Sequence, residues 1–147
     1  MKSELLLPAG MARQIEREGV ASYPNECCGI LFGKEVNENG SQQRFVERIE
    51  KVENEFEEHE RFHRFLITPD TLRKAEAAAA NEGRLVLGFY HSHPDAPARP
   101  SEYDRERGWP FYSYVIVSIL NREAVDMTSW QLDEVTERFE RQEIVES

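Results

Sequence analysis

Three short apolar runs set the strongest limit on how this chain of 147 residues can fold. Residues 27–34, 85–91 and 112–119 are almost unbroken in apolar side chains. Runs of this length are typical of strands that are buried inside a sheet. Helical patterns lie between the runs. We therefore predict an α/β or α+β domain, in which helices pack against a mixed β-sheet.

The segments between these runs complete the predicted order of elements. A first helix is predicted over residues 8–21, starting near Pro8. A second helix has Thr68 as its N-cap and Pro69 as its first residue, and it ends at Gly83. The remaining predictions are a short helix at 101–107, a hairpin turn at Asn39-Gly40, an exposed loop at 53–61, and strands at 3–7, 43–52, 62–67, 124–131 and 136–145.

The balance of charges limits the possible partners. The chain has 18 lysines and arginines against 28 aspartates and glutamates, a net charge of −10, which repels nucleic-acid phosphates and anionic membranes. No apolar run approaches the roughly 20 residues that a membrane helix needs, and the N-terminal stretch lacks the core of a signal peptide. We predict a single domain over residues 1–147 in the cytoplasm, with no nucleic-acid or membrane partner.

The segment from His91 to Asp104 carries the residue types of a metal site. His91 and His93 lie two apart at a strand end, so both imidazoles face the same side. Ser101 begins a helix whose first turn carries Asp104, a carboxylate that can complete a set of three ligands. Two histidines and one carboxylate with an open fourth position form a catalytic zinc site. Taken separately, the histidines also fit a surface or core pair, and Ser101 with Asp104 fits a helix capping box.

The combined pattern resembles the signature of the JAMM or MPN+ metallopeptidases, also called the Mov34/PAD-1 family. That signature is a distant Glu, then His-x-His-Pro, six residues and Ser-x-x-Asp. The chain has it as His91-Ser92-His93-Pro94, residues 95–100 and Ser101-Glu102-Tyr103-Asp104. The distant Glu belongs to a Glu-x-x-Gly-x-Leu-x-Gly pattern, which is similar to Glu26-Cys27-Cys28-Gly29-Ile30-Leu31-Phe32-Gly33. The resemblance implies an MPN/JAB domain, a mixed sheet flanked by helices in a three-layer sandwich like that of cytidine deaminases.

The resemblance also implies a role for each residue of the motif. His91, His93 and Asp104 would ligate one zinc ion per chain, with a water in the fourth position. Glu26 would be the general base, taking a proton from this water and passing it to the leaving amine. Ser101 would donate its hydroxyl to the oxyanion of the tetrahedral intermediate. The chain would then be a zinc metallopeptidase.

The substrate class follows from the same resemblance. The small prokaryotic members of the family hydrolyse peptide or isopeptide bonds after the C-terminal Gly-Gly of ubiquitin-like or sulfur-carrier proteins, and a chain of this length looks most like that branch. The carrier tail would add as an extended strand along an exposed sheet edge. Residues 95–100 are predicted to form one wall of the groove. No pattern in the sequence indicates an oligomeric state.

Two other functions fit the same residues. One is a non-catalytic MPN scaffold, and the other is a zinc-binding module without turnover; the presence of every ligand and of Glu26 disfavours the scaffold. A nucleoside deaminase is disfavoured because neither His-x-Glu nor Pro-Cys-x-x-Cys occurs in the chain.

Other residues that stand out have simpler interpretations. Cys27 and Cys28 are read as small buried hydrophobes with no disulfide, with a redox role as the lesser alternative. His59 and His63 are read as surface residues, with a second metal pair as the alternative. The aromatic residues after the metal helix are predicted to be core or pocket wall: Trp109, Phe111 and Tyr112.

Overall fold

The computed structural model describes residues 2–54 and 67–147. The helices there are α1 (Ala9–Ser22), α2 (Pro69–Asn81) and α3 (Glu102–Arg107). The strands are β1 (Lys2–Leu7), β2 (Cys28–Glu38), β3 (Ser41–Val52), β4 (Leu85–Pro94), β5 (Ser113–Leu120), β6 (Glu123–Leu132) and β7 (Phe139–Glu146). None of these helices is long and apolar enough to cross a membrane. His59, His63, nearly all of the predicted strand at 62–67 and most of the predicted loop at 53–61 lie outside the described residues.

The strands form a closed ring of pairings in the order β1-β3-β2-β4-β5-β6-β7. The ring closes because β1 pairs with β3 on one side and with β7 on the other, in parallel both times. β4 and β5 are also parallel, whereas the pairs β2–β3, β2–β4, β5–β6 and β6–β7 are antiparallel. This mixture confirms the predicted mixed sheet with helices packed on it. Closure of the ring was not part of the prediction.

Strand β4 shows why the apolar runs are unbroken. Leu87 and Tyr90 belong to a core cluster that α1 covers, whereas Val86 and Phe89 belong to a second cluster on the other face, which α2 covers. All four side chains are at most 1% exposed. A fully buried side chain of this size contributes roughly 2 kcal/mol. Both faces of the strand are therefore apolar, and the alternation of a half-exposed strand is absent.

The turn and cap residues behave as predicted. Asn39 and Gly40 have positive φ angles of 50° and 76°, as a tight hairpin between β2 and β3 requires. The hydroxyl of Thr68 accepts a hydrogen bond of 3.3 Å from the N–H of Thr71 and caps α2. Gly83, at φ 70°, lies two residues beyond the last helical residue, so the helix ends slightly earlier than predicted.

Strand β7 begins at Phe139, three residues later than predicted, because the preceding residues form a turn. Oδ1 of Asp133 accepts hydrogen bonds from the N–H groups of Val135 and Thr136, at 2.8 and 2.9 Å. The N–H of Asp133 itself donates to the carbonyl of Arg138. Aspartate side chains commonly close turns in this way, and apolar periodicity does not reveal it.

A buried arginine joins several parts of the ring. Arg44 of β3 is 1% exposed, and its Nε donates to Glu35 of β2 at 2.7 Å. Its Nη1 donates to the hydroxyl of Ser113 at 2.8 Å and to the carbonyl of Leu87, and its Nη2 donates to the carbonyl of Phe111. These bonds compensate the cost of burying the guanidinium. They also fix the segment between α3 and β5.

Candidate metal centre

The pairing of β2 with β4 sets Glu26 beside His93. In this antiparallel pair Cys28 lies opposite His91. Two residues outward, the same register places Glu26 opposite His93, on the face that carries His91. Glu26, His91 and His93 are 6%, 1% and 7% exposed. Strand pairing thus gathers two segments that are far apart in sequence into one buried site.

The loop after β4 fixes the orientation of His93. Nδ1 of His93 lies 3.0 Å from the carbonyl oxygen of Pro97. Because a carbonyl only accepts, Nδ1 must be the protonated nitrogen. In the neutral ring Nε2 therefore presents a lone pair, which is the form that binds a metal ion.

The carbonyls on either side of Pro97 are held as well. Oγ of Ser118 in β5 donates to the carbonyl of Ala96 at 2.6 Å. Oγ1 of Thr128 in β6 donates to the carbonyl of Ala98, also at 2.6 Å. The loop is therefore anchored to two neighbouring strands rather than to itself, and its central carbonyl keeps one position.

Helix α3 presents Asp104 through a reciprocal cap. The hydroxyl of Ser101 accepts from the N–H of Asp104 at 3.0 Å, and Oδ2 of Asp104 accepts from the N–H of Ser101 at 2.8 Å. This confirms the predicted capping box. A helix of six residues has little stability of its own, so the cap is what holds the Asp104 carboxylate against β4.

Three ligand atoms converge at one point. Nε2 of His91 lies 3.1 Å from Nε2 of His93. Oδ2 of Asp104 lies 3.2 Å from the His93 nitrogen and 3.4 Å from the His91 nitrogen. Zinc bonds of about 2.0–2.2 Å in tetrahedral geometry put ligand atoms roughly 3.3–3.6 Å apart. The triangle is therefore only slightly smaller than one face of a zinc tetrahedron.

The hydrogen-bonding atoms of this triangle indicate that a metal ion or a proton lies among them. Since Nδ1 of His93 donates to Pro97, its Nε2 turns a lone pair toward the Asp104 carboxylate. An ionised carboxylate has no proton to offer in return. Two lone pairs facing each other repel unless a metal ion or a proton lies between them. Two imidazole nitrogens and one carboxylate oxygen are a donor set that suits zinc.

Glu26 completes the site from the side of β2. Its Oε1 is buried and has no hydrogen-bond partner among the described residues, and its backbone carbonyl accepts from Asn54 at 3.3 Å. Ligand atoms of Glu26, His91 and His93 lie within 4.8 Å of one another, so Glu26 is an alternative to Asp104 as the third ligand. Burial raises the pKa of Glu26 to about 8, an effect that the charge of His93 opposes and the charge of Asp104 increases.

The pKa values of the other three groups shift in different directions. Burial lowers the pKa of His91 despite the neighbouring Asp104 carboxylate. Burial also disfavours a charged His93, but the hydrogen bond and charge of Asp104 and the charge of Glu26 raise its pKa overall. Burial alone would raise the pKa of Asp104, and the two histidines hold it well below its usual range. The Asp104 carboxyl is therefore ionised at neutral pH and could serve as a ligand.

Two clefts line different faces of α3. The larger, about 450 Å³, has Asp104 on one wall and the rings of Phe89, Trp109 and Tyr114 on others. We call it the aromatic cleft. Trp109 confirms the prediction of a pocket wall, whereas Phe111 is 54% exposed and its assignment to core or pocket wall was wrong. Its side chain points outward because its backbone, at φ 86°, is held by Arg44.

The smaller cleft, about 310 Å³, lies against Ser101. Its walls include three arginines and an indole ring, and we call it the basic cleft. The residues that define it are Arg99, Ser101, Arg105, Trp130 and Arg138. Arg99 and Pro100 of the loop 95–100 line this cleft, whereas none of the described residues that line the aromatic cleft belongs to that loop.

The two cysteines are buried, as predicted, and face opposite ways. The N–H of Cys27 donates to the hydroxyl of Ser92 at 2.9 Å, and Cys28 belongs to the core cluster that α2 covers. Both are free thiols.

Sequence reasoning missed three residues that support the site. Asn54 holds the backbone of Glu26, yet it lies in a segment predicted to be an exposed loop and is only 9% exposed. Ser118 and Thr128 anchor the loop that orients His93. A signal existed for Ser118, a buried hydroxyl inside the apolar run 112–119. The sequence of 53–61 offered none for Asn54.

Comparison with known proteins adds an independent line of evidence. Residues 8–133 match the family described as prokaryotic homologs of the JAB domain. A desampylase of Haloferax volcanii is 36% identical over 104 residues, which are 69% of this chain and 69% of that protein. A desampylase of Pyrococcus furiosus is 30% identical over 146 residues, 98% of this chain and 92% of that protein. A probable TtuB-protein conjugate cleaving protease of Thermus thermophilus is 31% identical over 106 residues, 71% of this chain and 64% of that protein.

Proposed function

The chain belongs to the prokaryotic homologs of the JAB domain and is a JAMM-type hydrolase, and from this premise we propose that it is a zinc-dependent isopeptidase. Its substrates would be conjugates in which the C-terminal Gly-Gly of a ubiquitin-like or sulfur-carrier protein is joined to an amine. The desampylase and conjugate-cleaving relatives support this class of substrate. We also propose that the fold of this chain is a three-layer sandwich like that of the cytidine deaminases.

The observation that carries the proposal is the triangle of ligand atoms beside a buried carboxyl. The Asp104 oxygen lies 3.2 and 3.4 Å from the two histidine nitrogens, which are the separations of atoms bound to one ion. A carboxylate oxygen of Glu26 lies within 4.8 Å of a ring nitrogen of each histidine, a distance that leaves room for a water. We therefore assign Asp104 as the third ligand and Glu26 as the base.

Zinc held by His91, His93 and Asp104 would supply a Lewis acid that polarises a water and the scissile carbonyl. Glu26 would take the proton of the attacking water on its carboxyl and release it to the leaving amine. The raised pKa of Glu26 suits the second task, since a carboxyl that holds a proton near neutral pH is a good acid. A nearby cation would favour its ionised form and restore the base.

Ser101 can serve both as a cap and as an oxyanion donor. Its oxygen accepts from the N–H of Asp104, which uses a lone pair and leaves the hydroxyl proton available. We propose that this proton is donated to the oxygen of the tetrahedral intermediate. The helix cap and the catalytic role are thus compatible uses of one side chain.

The aromatic cleft is the proposed position of the carrier tail. It opens beside Asp104 and is walled by Phe89, Trp109 and Tyr114, so it offers apolar contact to the residues before the Gly-Gly. The two glycines have no side chains and would pass closest to the ligand atoms. Because the described strands form a closed ring, the predicted addition of the tail to an exposed sheet edge has no edge strand to pair with, and the tail would bind in this cleft instead.

The proposal is tested by metal content and hydrolysis in two variants. Glu26→Gln should keep one zinc per chain and abolish cleavage of a carrier–lysine conjugate, whereas Asp104→Asn should lose the zinc. Zinc is measured by plasma mass spectrometry and cleavage by intact-protein mass spectrometry. Zinc loss in Glu26→Gln would make Glu26 a ligand, and cleavage that survives complete zinc removal would exclude a metalloenzyme. Zinc binding without cleavage of any conjugate would favour the non-catalytic alternatives.

A further inference from the structure

The basic cleft contrasts with the charge of the whole protein. The chain carries a net charge of −10. The cleft walls nevertheless hold three arginines, Arg99, Arg105 and Arg138, and a single carboxylate, that of Glu102. The cleft is therefore a local positive region beside Ser101, at one end of the site.

Two of these guanidinium groups are available to a ligand. Arg105 is bonded to Glu102. The side chains of Arg99 and Arg138 make neither an ion pair nor a hydrogen bond with the part of the chain that the structure describes. Guanidinium groups bind carboxylates through paired, charge-assisted hydrogen bonds. Where carboxylates are so abundant, two unpaired arginines at one cleft indicate a carboxylate from another molecule.

The position of the basic cleft indicates which part of a conjugate would contact it. This step rests on the proposed function, in which the carrier tail lies in the aromatic cleft on one face of α3. The basic cleft lies on another face, with Ser101 on its wall. A conjugate whose carrier tail lies in the first cleft can extend past Ser101 into the second. We propose that the basic cleft binds acidic side chains of the polypeptide whose lysine carries the carrier, next to that lysine.

The two tryptophans of the chain allow a direct test, because Trp109 lies in the aromatic cleft and Trp130 in the basic cleft. The indole N–H of Trp130 donates to Thr128 at 2.8 Å, so its resonance has a fixed environment. The probe is a capped peptide Asp-Glu-Lys-Glu-Asp, titrated into protein with ¹⁵N-labelled tryptophan. The control peptide has Asn and Gln in place of Asp and Glu. We expect the acidic peptide to shift the Trp130 indole signal and leave that of Trp109 in place.

Two double variants distinguish an effect of the charges in the cleft from an effect of the overall charge of the protein. Arg99→Gln/Arg138→Gln should weaken binding of the acidic peptide about tenfold or more. Arg17→Gln/Lys34→Gln removes the same charge from exposed residues outside the cleft and should leave binding within about twofold. An equal effect of both pairs, a shift at Trp109 instead of Trp130, or equal binding of the neutral peptide would overturn the proposal. If the first pair fails to fold, Arg99→Gln alone is used.

The kinetics of hydrolysis provide a second test of the proposal. A carrier joined to the acidic peptide should have a KM about tenfold lower than one joined to the neutral peptide, and the cleft variant should lose this preference with little change in kcat. Equal KM values in the unmodified enzyme would contradict the proposal while leaving the isopeptidase intact. Conversely, peptide binding at Trp130 without cleavage of any conjugate would support the cleft and reject the proposed function.

Discussion

The hydroxyl of Thr128 donates to the carbonyl oxygen of Ala98 at 2.6 Å, and so ties β6 to the loop that orients His93. Thr128→Val removes the donor at nearly constant volume. We expect the affinity for zinc to fall by about 10-fold, the lower end of the range for lost direct partners of metal ligands, because Thr128 acts on His93 only through the loop. Chelator competition measures it, and Thr128→Ser should restore most of the affinity. An unchanged affinity in Thr128→Val would mean that the loop holds its position without β6.

Glu26 should make the metal-free protein less stable as the pH rises. Burial raises its pKa to about 8 from an ordinary value of 4.5. Between these two values the folded state holds a proton that the unfolded chain releases, so stability falls with increasing pH. Glu26→Gln should therefore be more stable than the unmodified protein at pH 8, on the order of 4 kcal/mol, and similar at pH 4.5. Urea unfolding in the presence of chelator gives both values; a difference that does not change with pH would contradict the shift.

Asp104 has a structural role in the helix cap and a proposed role in metal binding, and two variants separate these roles. Asp104→Asn keeps an oxygen that can accept from the N–H of Ser101 but removes the charge, so zinc affinity should fall more than about 100-fold with little loss of stability. Asp104→Ala removes the cap as well and should cost a further 1 kcal/mol or so in the free energy of unfolding. Urea unfolding of the metal-free variants measures this difference. Equal stability would show that the capping box contributes little.

Gly29 is expected to tolerate no side chain. A Cβ there would lie 2.0 Å from a ring carbon of Tyr90, whose hydroxyl is held by Glu18 at 2.6 Å. Gly29→Ala should destabilise the fold by about 1–3 kcal/mol. Gly10→Ala, in the first turn of α1 with open space around it, is the matched control and should be neutral or slightly stabilising. Thermal unfolding of the two variants makes the comparison, and similar effects would argue against the ring contact.

Four of the predicted site residues are related by local geometry, whereas Glu26 was predicted from the resemblance of its motif. His91 and His93 face the same way because a strand alternates, and Ser101 with Asp104 form a cap because a helix has fixed spacing. Such relations depend on neighbours in sequence and can be read from it. Ser118 is different: it meets the site only because β5 pairs with β4 so that Ser118 lies opposite His93. Which strands become neighbours depends on packing between distant segments, and one sequence does not show it.

The ring of strands has a consequence for how the chain folds during synthesis. β1 finds one partner early, in β3, but its other edge pairs with β7, where Glu4 lies opposite Glu143. A nascent chain emerges from the ribosome N-terminus first, so β1 is outside long before β7 is made. Contacts of such large sequence separation form slowly, and an unpaired strand edge is open to other chains meanwhile. Pairing of β7 with β1 is therefore the step at which this strand edge becomes closed to other chains.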